Sequence, residues 1–293
     1  MSHQNEPQDP APREPVTIPA LARMAAEGRP IVMTPAYDAV TPRLAEAGGV
    51  DVILVGDSVG NVCLGFDNTL PVTLAMMNHH LEAVARTRPR ALLMGDLPFL
   101  SYHTGVDDAI RNAGGFLQRG AAAVKLEGGA RRLLVVKALV QAEIPVMGHL
   151  GLTPQSVHAM GGYKVQGREA DAALRILDDA LALQDAGCFS VLLEGVPADL
   201  AKKVTEVLSV PTLGIGAGPH CSGQVLVLHD ILGLVPGPSP KFVRRYLDGY
   251  GQLREALVRW GGDVRSGAFP GPEESYTLPE SARTALDAWR PPT

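Results

Sequence analysis

VILVGDSVGN (residues 52–61) runs four apolar, strand-prone residues into a glycine and then presents a carboxylate and a hydroxyl together. A short run that is apolar on both faces fits a strand of a parallel sheet covered on both sides. The same pattern returns along the chain at IVMTPAY (31–37), ALLMG (91–95), AAVKLE (122–127), IPVMGHL (144–150), FSVLLE (189–194), PTLGIG (211–216) and, less sharply, DILGLV (230–235). Helical stretches lie between these runs. Thr41-Pro42 reads as a helix start that Gly48-Gly49 ends, and Leu174, Leu177 and Leu181 share one face of a helix closed by Gly187. Strand–helix units of this size predict an α/β fold closed as a (β/α)8 TIM barrel. A doubly wound open sheet is the alternative, because the count of eight rests on the weakest run.

The chain has 293 residues, 46% of them apolar and 19% charged, which is enough to bury one large core. The formal net charge is −5 and there is no basic block, so no nucleic-acid partner is expected. No run approaches the ~20 apolar residues of a membrane span, and no membrane partner is expected. Cys63, Cys188 and Cys221 are too few and too scattered for a disulfide framework. With no signal-like apolar stretch at the start, these features suggest a cytoplasmic protein. Residues 1–15 read as a disordered tail, 16–265 as the catalytic barrel, and 266–293 as a loosely packed C-terminal tail with a short helix near 280–289. GLTPQSVHAMGGYKVQGREAD (151–171) is long, glycine-rich and mostly aperiodic, as a lid over a site would be.

In a (β/α)8 barrel the C-terminal ends of the strands converge on one mouth. The ends of these runs carry Tyr37-Asp38, Asp57-Ser58, Asp96, Lys125 and Glu127, His149, and Glu194. Asp and Ser also serve as helix caps, a role open to Asp38 and Ser58; Lys and Glu do not fit it. Three crowded carboxylates, Asp57, Asp96 and Glu127, would repel one another by about 4 kcal/mol per pair at ~4 Å and an effective dielectric near 20. A hard divalent cation relieves that repulsion, and ligation by oxygen alone favours Mg²⁺ over zinc. Lys125, two residues before Glu127, faces the same side and offers positive charge to a substrate. Glu194, alone after apolar FSVLL, suits a general base. His149 reads as a substrate contact, His79-His80 as structural, and GIGAG (214–218) as a turn.

VGDSVGN, DLPF, VKLEGG, GHLGLTPQS, GGYKVQG, GIGAG and PKF occur in an order that resembles the ketopantoate hydroxymethyltransferase family over residues 16–265. That resemblance implies a barrel similar to the phosphoenolpyruvate mutase and isocitrate lyase group. It implies hydroxymethyl transfer from 5,10-methylenetetrahydrofolate to 3-methyl-2-oxobutanoate through a Mg²⁺-stabilised enolate. Asp57 and Asp96 are then metal ligands that also contact substrate, Glu127 a third ligand, Ser58 and Lys125 substrate-binding groups, and Glu194 the proton acceptor. A homo-oligomer, commonly a decamer, is implied as well. Gly195, where the family more often has cysteine, and Pro219-His220-Cys221 depart from the pattern. The rival enzyme is a Mg²⁺-dependent C–C lyase or mutase of the same barrel group, and the rival from another class is a catalytically inert metabolite-binding barrel.

Overall fold

Eight short parallel strands hydrogen-bond in sequence order and close on themselves. They are β1 (Ile31–Pro35), β2 (Val52–Val55), β3 (Leu92–Asp96), β4 (Ala123–Glu127), β5 (Val146–Gly151), β6 (Ser190–Glu194), β7 (Thr212–Ile215) and β8 (Gly223–Val225). The computed structural model describes residues 14–292. Residues 1–13 of the expected N-terminal tail lie outside the described residues.

Strand parity divides the apolar residues into two cores, since successive side chains point to opposite faces. Met33, Val52, Leu54, Leu92, Met94, Ala123, Met147, Leu192 and Leu213 fill the interior. Ile53, Val55, Leu93, Val124, Leu126, Val146, Val191 and Leu193 face outward. They pack against Met77, Leu81, Phe116, Leu139, Leu183 and Val204 of the surrounding helices. The helix Ile18–Ala26 adds Leu21 and Met24 to the inner core beside Ile31, at the strands' N-terminal end. The ionisable side chains of the inward rows lie at the opposite end, where the rows continue as Leu92–Met94–Asp96, Ala123–Lys125–Glu127, Met147–His149 and Leu192–Glu194.

The eighth strand is not DILGLV. It is Gly223–Val225, which pairs with both Leu213 and Ile31 and closes the barrel. Asp230 and Ile231 instead belong to a short helix, Leu228–Ile231. A brief apolar run reads the same whether strand or buried helix, and a three-residue strand carries almost no periodicity. The start of the helix Thr41–Ala47 is also built differently from the expectation. Asp38 is its anchor: Oδ1 accepts from the backbone amides of Val40 (2.8 Å) and Thr41 (2.7 Å) and from the Thr41 hydroxyl (2.9 Å). Asp38 thus serves a helix terminus and not the mouth.

Beyond the barrel, the helix Gly249–Ser266 starts at Asp248, whose carboxylate accepts from the Gly251 amide. Its apolar residues Tyr250, Leu253, Leu257 and Trp260 are exposed. The last helix, Glu280–Ala288, buries none of its residues. Among the described residues no helix is long and apolar enough to cross a membrane.

Candidate active site

The barrel register sets the neighbours at the mouth. Asp96 on β3 stands beside Lys125 on β4, Glu127 beside His149 on β5, and Gly151 beside Glu194 on β6. Asp57 follows β2 at the head of the turn into Val59–Val62. Asp57, Asp96, Lys125, Glu127 and His149 are all buried, and Glu194 is slightly open to solvent.

Their side chains form one connected set. Lys125 Nζ pairs with Asp96 Oδ1 at 2.8 Å and lies 3.4 Å from His149 Nδ1. His149 bridges two carboxylates, with Nδ1 3.5 Å from Glu127 Oε1 and Nε2 3.4 Å from Glu194 Oε2. Asp96 Oδ2 accepts from the Asp57 amide at 3.2 Å. Ser58 does not cap the helix behind it; its hydroxyl shares a 2.8 Å hydrogen bond with Tyr37. The Tyr37 carbonyl in turn meets His80 Nδ1 at 2.7 Å.

Gln155 is the functional candidate that the sequence reading missed. Its Nε2 donates to Asp57 Oδ2 (2.9 Å) and to the Leu97 carbonyl (3.0 Å), and its amide donates to Glu127 Oε2 (3.0 Å). Its Oε1 accepts from the Tyr102 hydroxyl at 2.7 Å, and that hydroxyl accepts from the Glu127 amide at 3.2 Å. Gln155 lies within GHLGLTPQS, so the motif was visible, but an amide side chain in a loop gives no signal of where it points.

The loop expected to act as a lid begins with short turns at Pro154–Ser156 and Val157–Met160 and then runs irregularly to the helix Ala170–Asp185. It is pinned to β6 by hydrogen bonds from the Leu152 amide to the Glu194 carbonyl (2.7 Å) and from the Gln166 amide to the Gly195 carbonyl (2.8 Å). Gly151, at φ +90°, allows this approach, because a Cβ there would strike the Glu194 carbonyl oxygen. Gly195 has φ +54°, a conformation that suits glycine better than the cysteine expected there. Tyr163 is 53% exposed, yet its phenol is raised above its usual range by partial burial and by Asp57, Glu194 and Glu127. Tyr163 therefore lies within electrostatic reach of the carboxylates.

Charge at the mouth is unbalanced. Burial pushes Asp96 up to about 8 against the pull of Lys125, with Asp57 and Glu127 adding to the rise. Burial also raises Glu127, although His149 and Lys125 oppose it. Burial and Lys125 both disfavour a charged His149, but hydrogen bonds to Glu127 and Glu194 outweigh them and hold it at about 9. Burial lowers Lys125, and Asp96, Glu127 and Asp57 more than reverse that.

Four carboxylates thus share two basic partners. Asp96 Oδ1 and Glu127 Oε1 are buried and are met only by Lys125 (2.8 Å) and His149 (3.5 Å), and the oxygen-rich donor set as a whole fits a hard divalent cation. Among the described residues no three acidic, His or Cys side chains already stand together as a ligand cage. Lys125 and Gln155 occupy part of the carboxylates' hydrogen-bonding capacity instead.

Residues 15–272 match the model of the ketopantoate hydroxymethyltransferase family. The chain is 70% identical to the 3-methyl-2-oxobutanoate hydroxymethyltransferase of Methylobacterium sp. (strain 4-46), over 92% of this chain and 94% of the relative. It is 66% identical to 3-methyl-2-oxobutanoate hydroxymethyltransferase 2 of Bradyrhizobium diazoefficiens, over 99% and 98% of the two chains. Among solved structures, a phosphonopyruvate hydrolase in complex with oxalate and Mg²⁺ superposes with a TM-score of 0.60 at 16% identity, covering 92% of this chain and 97% of that one. A 2,3-dimethylmalate lyase of the PEP mutase/isocitrate lyase superfamily gives 0.54 at 16% identity, over 94% and 96%. At such identities these two matches speak for a shared barrel architecture. The matched family model and the two close relatives span nearly the whole chain, and the chain belongs to the ketopantoate hydroxymethyltransferase family.

Proposed function

We propose that the chain transfers a hydroxymethyl group from 5,10-methylenetetrahydrofolate to 3-methyl-2-oxobutanoate, giving 2-dehydropantoate and tetrahydrofolate in the cytoplasm. The observation that carries this reading is the inner ring of Asp57, Asp96, Lys125, Glu127, His149 and Glu194, in which carboxylates outnumber cations. Asp57 and Asp96, with Glu127 behind them, are the residues to hold a Mg²⁺ ion, which when bound supplies Lewis-acid stabilisation of negative charge on a keto oxygen.

The chain's own groups do the rest. Lys125 is a fixed positive charge beside Asp96 and attracts the substrate carboxylate. Ser58, braced by Tyr37, offers a hydroxyl at the same rim. Glu194 takes the proton from C3 of the keto acid, and His149, 3.4 Å from its Oε2, holds the carboxylate in place. The resulting carbanion bonds to the one-carbon unit, both bonds from that carbon to folate nitrogen are broken, and one water supplies the new hydroxyl. The two nitrogens leave protonated by the proton taken from C3 and by one proton of that water. The loop after β5, pinned to β6 at Leu152 and Gln166, limits water around the reacting carbon.

We also read the active form as a homo-oligomer, a decamer by family resemblance. The exposed apolar side chains of Gly249–Ser266 support association, and sedimentation velocity of the purified protein tests it.

For the reaction, consumption of 3-methyl-2-oxobutanoate is followed with and without methylenetetrahydrofolate and Mg²⁺. Turnover that requires neither rejects the function. In the Glu194→Gln variant, exchange of the C3 proton for deuterium should fall about a hundred-fold or more. Exchange at the wild-type rate removes Glu194 from the role of base.

A further inference from the structure

A second cavity, of about 370 Å³, opens beside the mouth between the loops that follow β3, β4 and β5. Its inner wall is Tyr102, Glu127 and Gln155, the cluster that also holds Asp57, and its outer wall carries Arg131, Arg132 and Arg175. Two carboxylates, Asp178 and Asp179, are also present. Asp179 is already engaged, since its Oδ1 accepts from the Ala130 amide at 2.7 Å. None of the three arginines forms an ion pair within 4.0 Å among the described residues, so their guanidinium groups have donors to spare beside Asp178 and Asp179.

Two aromatic rings also line the cavity. The Arg132 guanidinium sits 5.6 Å over the Tyr102 ring, and the Tyr102 and His103 rings lie 4.2 Å apart. His103 Nδ1 is buried without a hydrogen-bond partner among the described residues, which leaves a polar atom waiting beside a cationic wall. Burial and the Arg132 charge hold His103 down at about 4, so at neutral pH it adds no charge of its own. Planar guanidinium groups bind carboxylates in forked pairs, and the tilted Tyr102 and His103 rings, 41° apart in plane, give an aromatic wall against which a flat ring can pack.

Nothing in the hydroxymethyl transfer proposed above uses this cavity, although it shares a wall with the mouth. The keto acid is too small to fill both places. The co-substrate, by contrast, is long, with an aromatic p-aminobenzoyl body and a glutamyl tail bearing two carboxylates. We infer that the cavity receives the p-aminobenzoyl-glutamate end of the folate, with Arg131, Arg132 and Arg175 taking its carboxylates and Tyr102 and His103 its ring. The pteridine end then lies toward Gln155 and the mouth. This inference rests on the hydroxymethyl-transfer reading, which wild-type turnover tests by itself.

The test uses the full-length enzyme and the variants Arg132→Ala, Arg175→Ala and Arg131→Ala. A charge-assisted hydrogen bond contributes enough that each loss raises the KM for methylenetetrahydrofolate about ten-fold or more. The KM for the keto acid stays within about two-fold, a split that general loss of structure would not produce. Circular dichroism confirms that each variant is folded. p-Aminobenzoyl-glutamate alone serves as a probe, expected to inhibit the wild type competitively against the folate and to lose that effect in Arg132→Ala. A tail-less 5,10-methylenetetrahydropteroate should be a poor substrate for the wild type and no poorer for the variants. Wild-type turnover with an unchanged folate KM in all three variants, or variants that still prefer the glutamylated folate as strongly as the wild type, would overturn the assignment.

Discussion

Replacing Gln155 with methionine keeps the side-chain length and removes every polar contact that the side chain makes. Three hydrogen bonds disappear, to Asp57 Oδ2, to the Leu97 carbonyl and from the Tyr102 hydroxyl, while the backbone bond to Glu127 remains. The partners are buried, so each is left short of a donor or acceptor that water cannot readily replace. Stranding a buried polar group costs about 1–3 kcal/mol, more when it is charged. Tyr102 recovers part of its loss, because its hydroxyl also lies 3.4 Å from the Glu127 carbonyl. The sum is about 4 kcal/mol, a large share of the roughly 5–15 kcal/mol that holds a protein folded. At about 2 °C per kcal/mol for a chain of this size, Tm should fall by about 8 °C. Tyr102→Phe strands only the Gln155 oxygen and the Glu127 amide, and should cost about 2 kcal/mol. Because the two residues share one bond, the double variant should fall short of the summed losses by about 1 kcal/mol or more. Differential scanning calorimetry of the four proteins measures all of this. A Gln155→Met protein that melts within about 2 °C of the wild type, with zero coupling to Tyr102, would show that Gln155 does not hold the carboxylates together.

Lys125→Met removes the cation paired with Asp96, and the KM for the keto acid should rise about a hundred-fold in steady-state kinetics while the fold persists. Gly151→Ala places a Cβ against the Glu194 carbonyl at φ +90° and should cost about 1–3 kcal/mol by denaturant titration, with a larger loss of kcat because β6 is displaced at Glu194. Thiol chemistry should separate the cysteines. Burial holds Cys188 up at about 12, so at pH 8 it is a sealed thiol, whereas Cys63 is exposed and only moderately raised by partial burial and Asp38. Native protein should show one fast-reacting group toward a disulfide reagent, its rate rising with pH as thiolate forms, and Cys63→Ser should abolish that phase.

The barrel was legible because parallel strands buried on both faces are written as unbroken apolar runs, and seven of the eight could be read directly. The eighth could not, since Gly223–Val225 owes its pairing to its neighbours β7 and β1 and not to its own composition. The polar residues at the mouth were legible for a related reason. Lys125 and Glu127 end an apolar row at matching parity, so only the interior can receive them. Asp38 was ambiguous in kind, because an aspartate after a strand can either cap the next helix or face the mouth, and its three short bonds decide for the cap. Gln155, Tyr102 and the arginines of the second cavity were not legible. Gln155, Tyr102, Arg131 and Arg132 sit on the connections that follow the strands and Arg175 on the helix Ala170–Asp185, so their meeting depends on how separate βα units come together in space.

The charge pattern explains why the mouth is built on strands and its supports on loops. A carboxylate buried as deeply as Asp96 is costly to ionise, and burial with Asp57 and Glu127 nearby holds it at about 8 in spite of Lys125. Rigid β-strand neighbours fix Asp96 against Lys125, and Glu127 against His149, so the carboxylates stay where their partners hold them and cannot swing away from one another. The carboxyl groups are thus held in one place, where an entering divalent cation favours their ionised forms and a substrate carboxylate is best accommodated together with one. Gln155 differs in that it gives neutral donors to Asp57 and Glu127 from a loop. Such donors steady the carboxylates without neutralising them, and a loop can shift as the ion enters. A lysine at position 155 would remove the very charge excess that recruits the metal, so a neutral amide with two donors and an acceptor is the side chain this position requires.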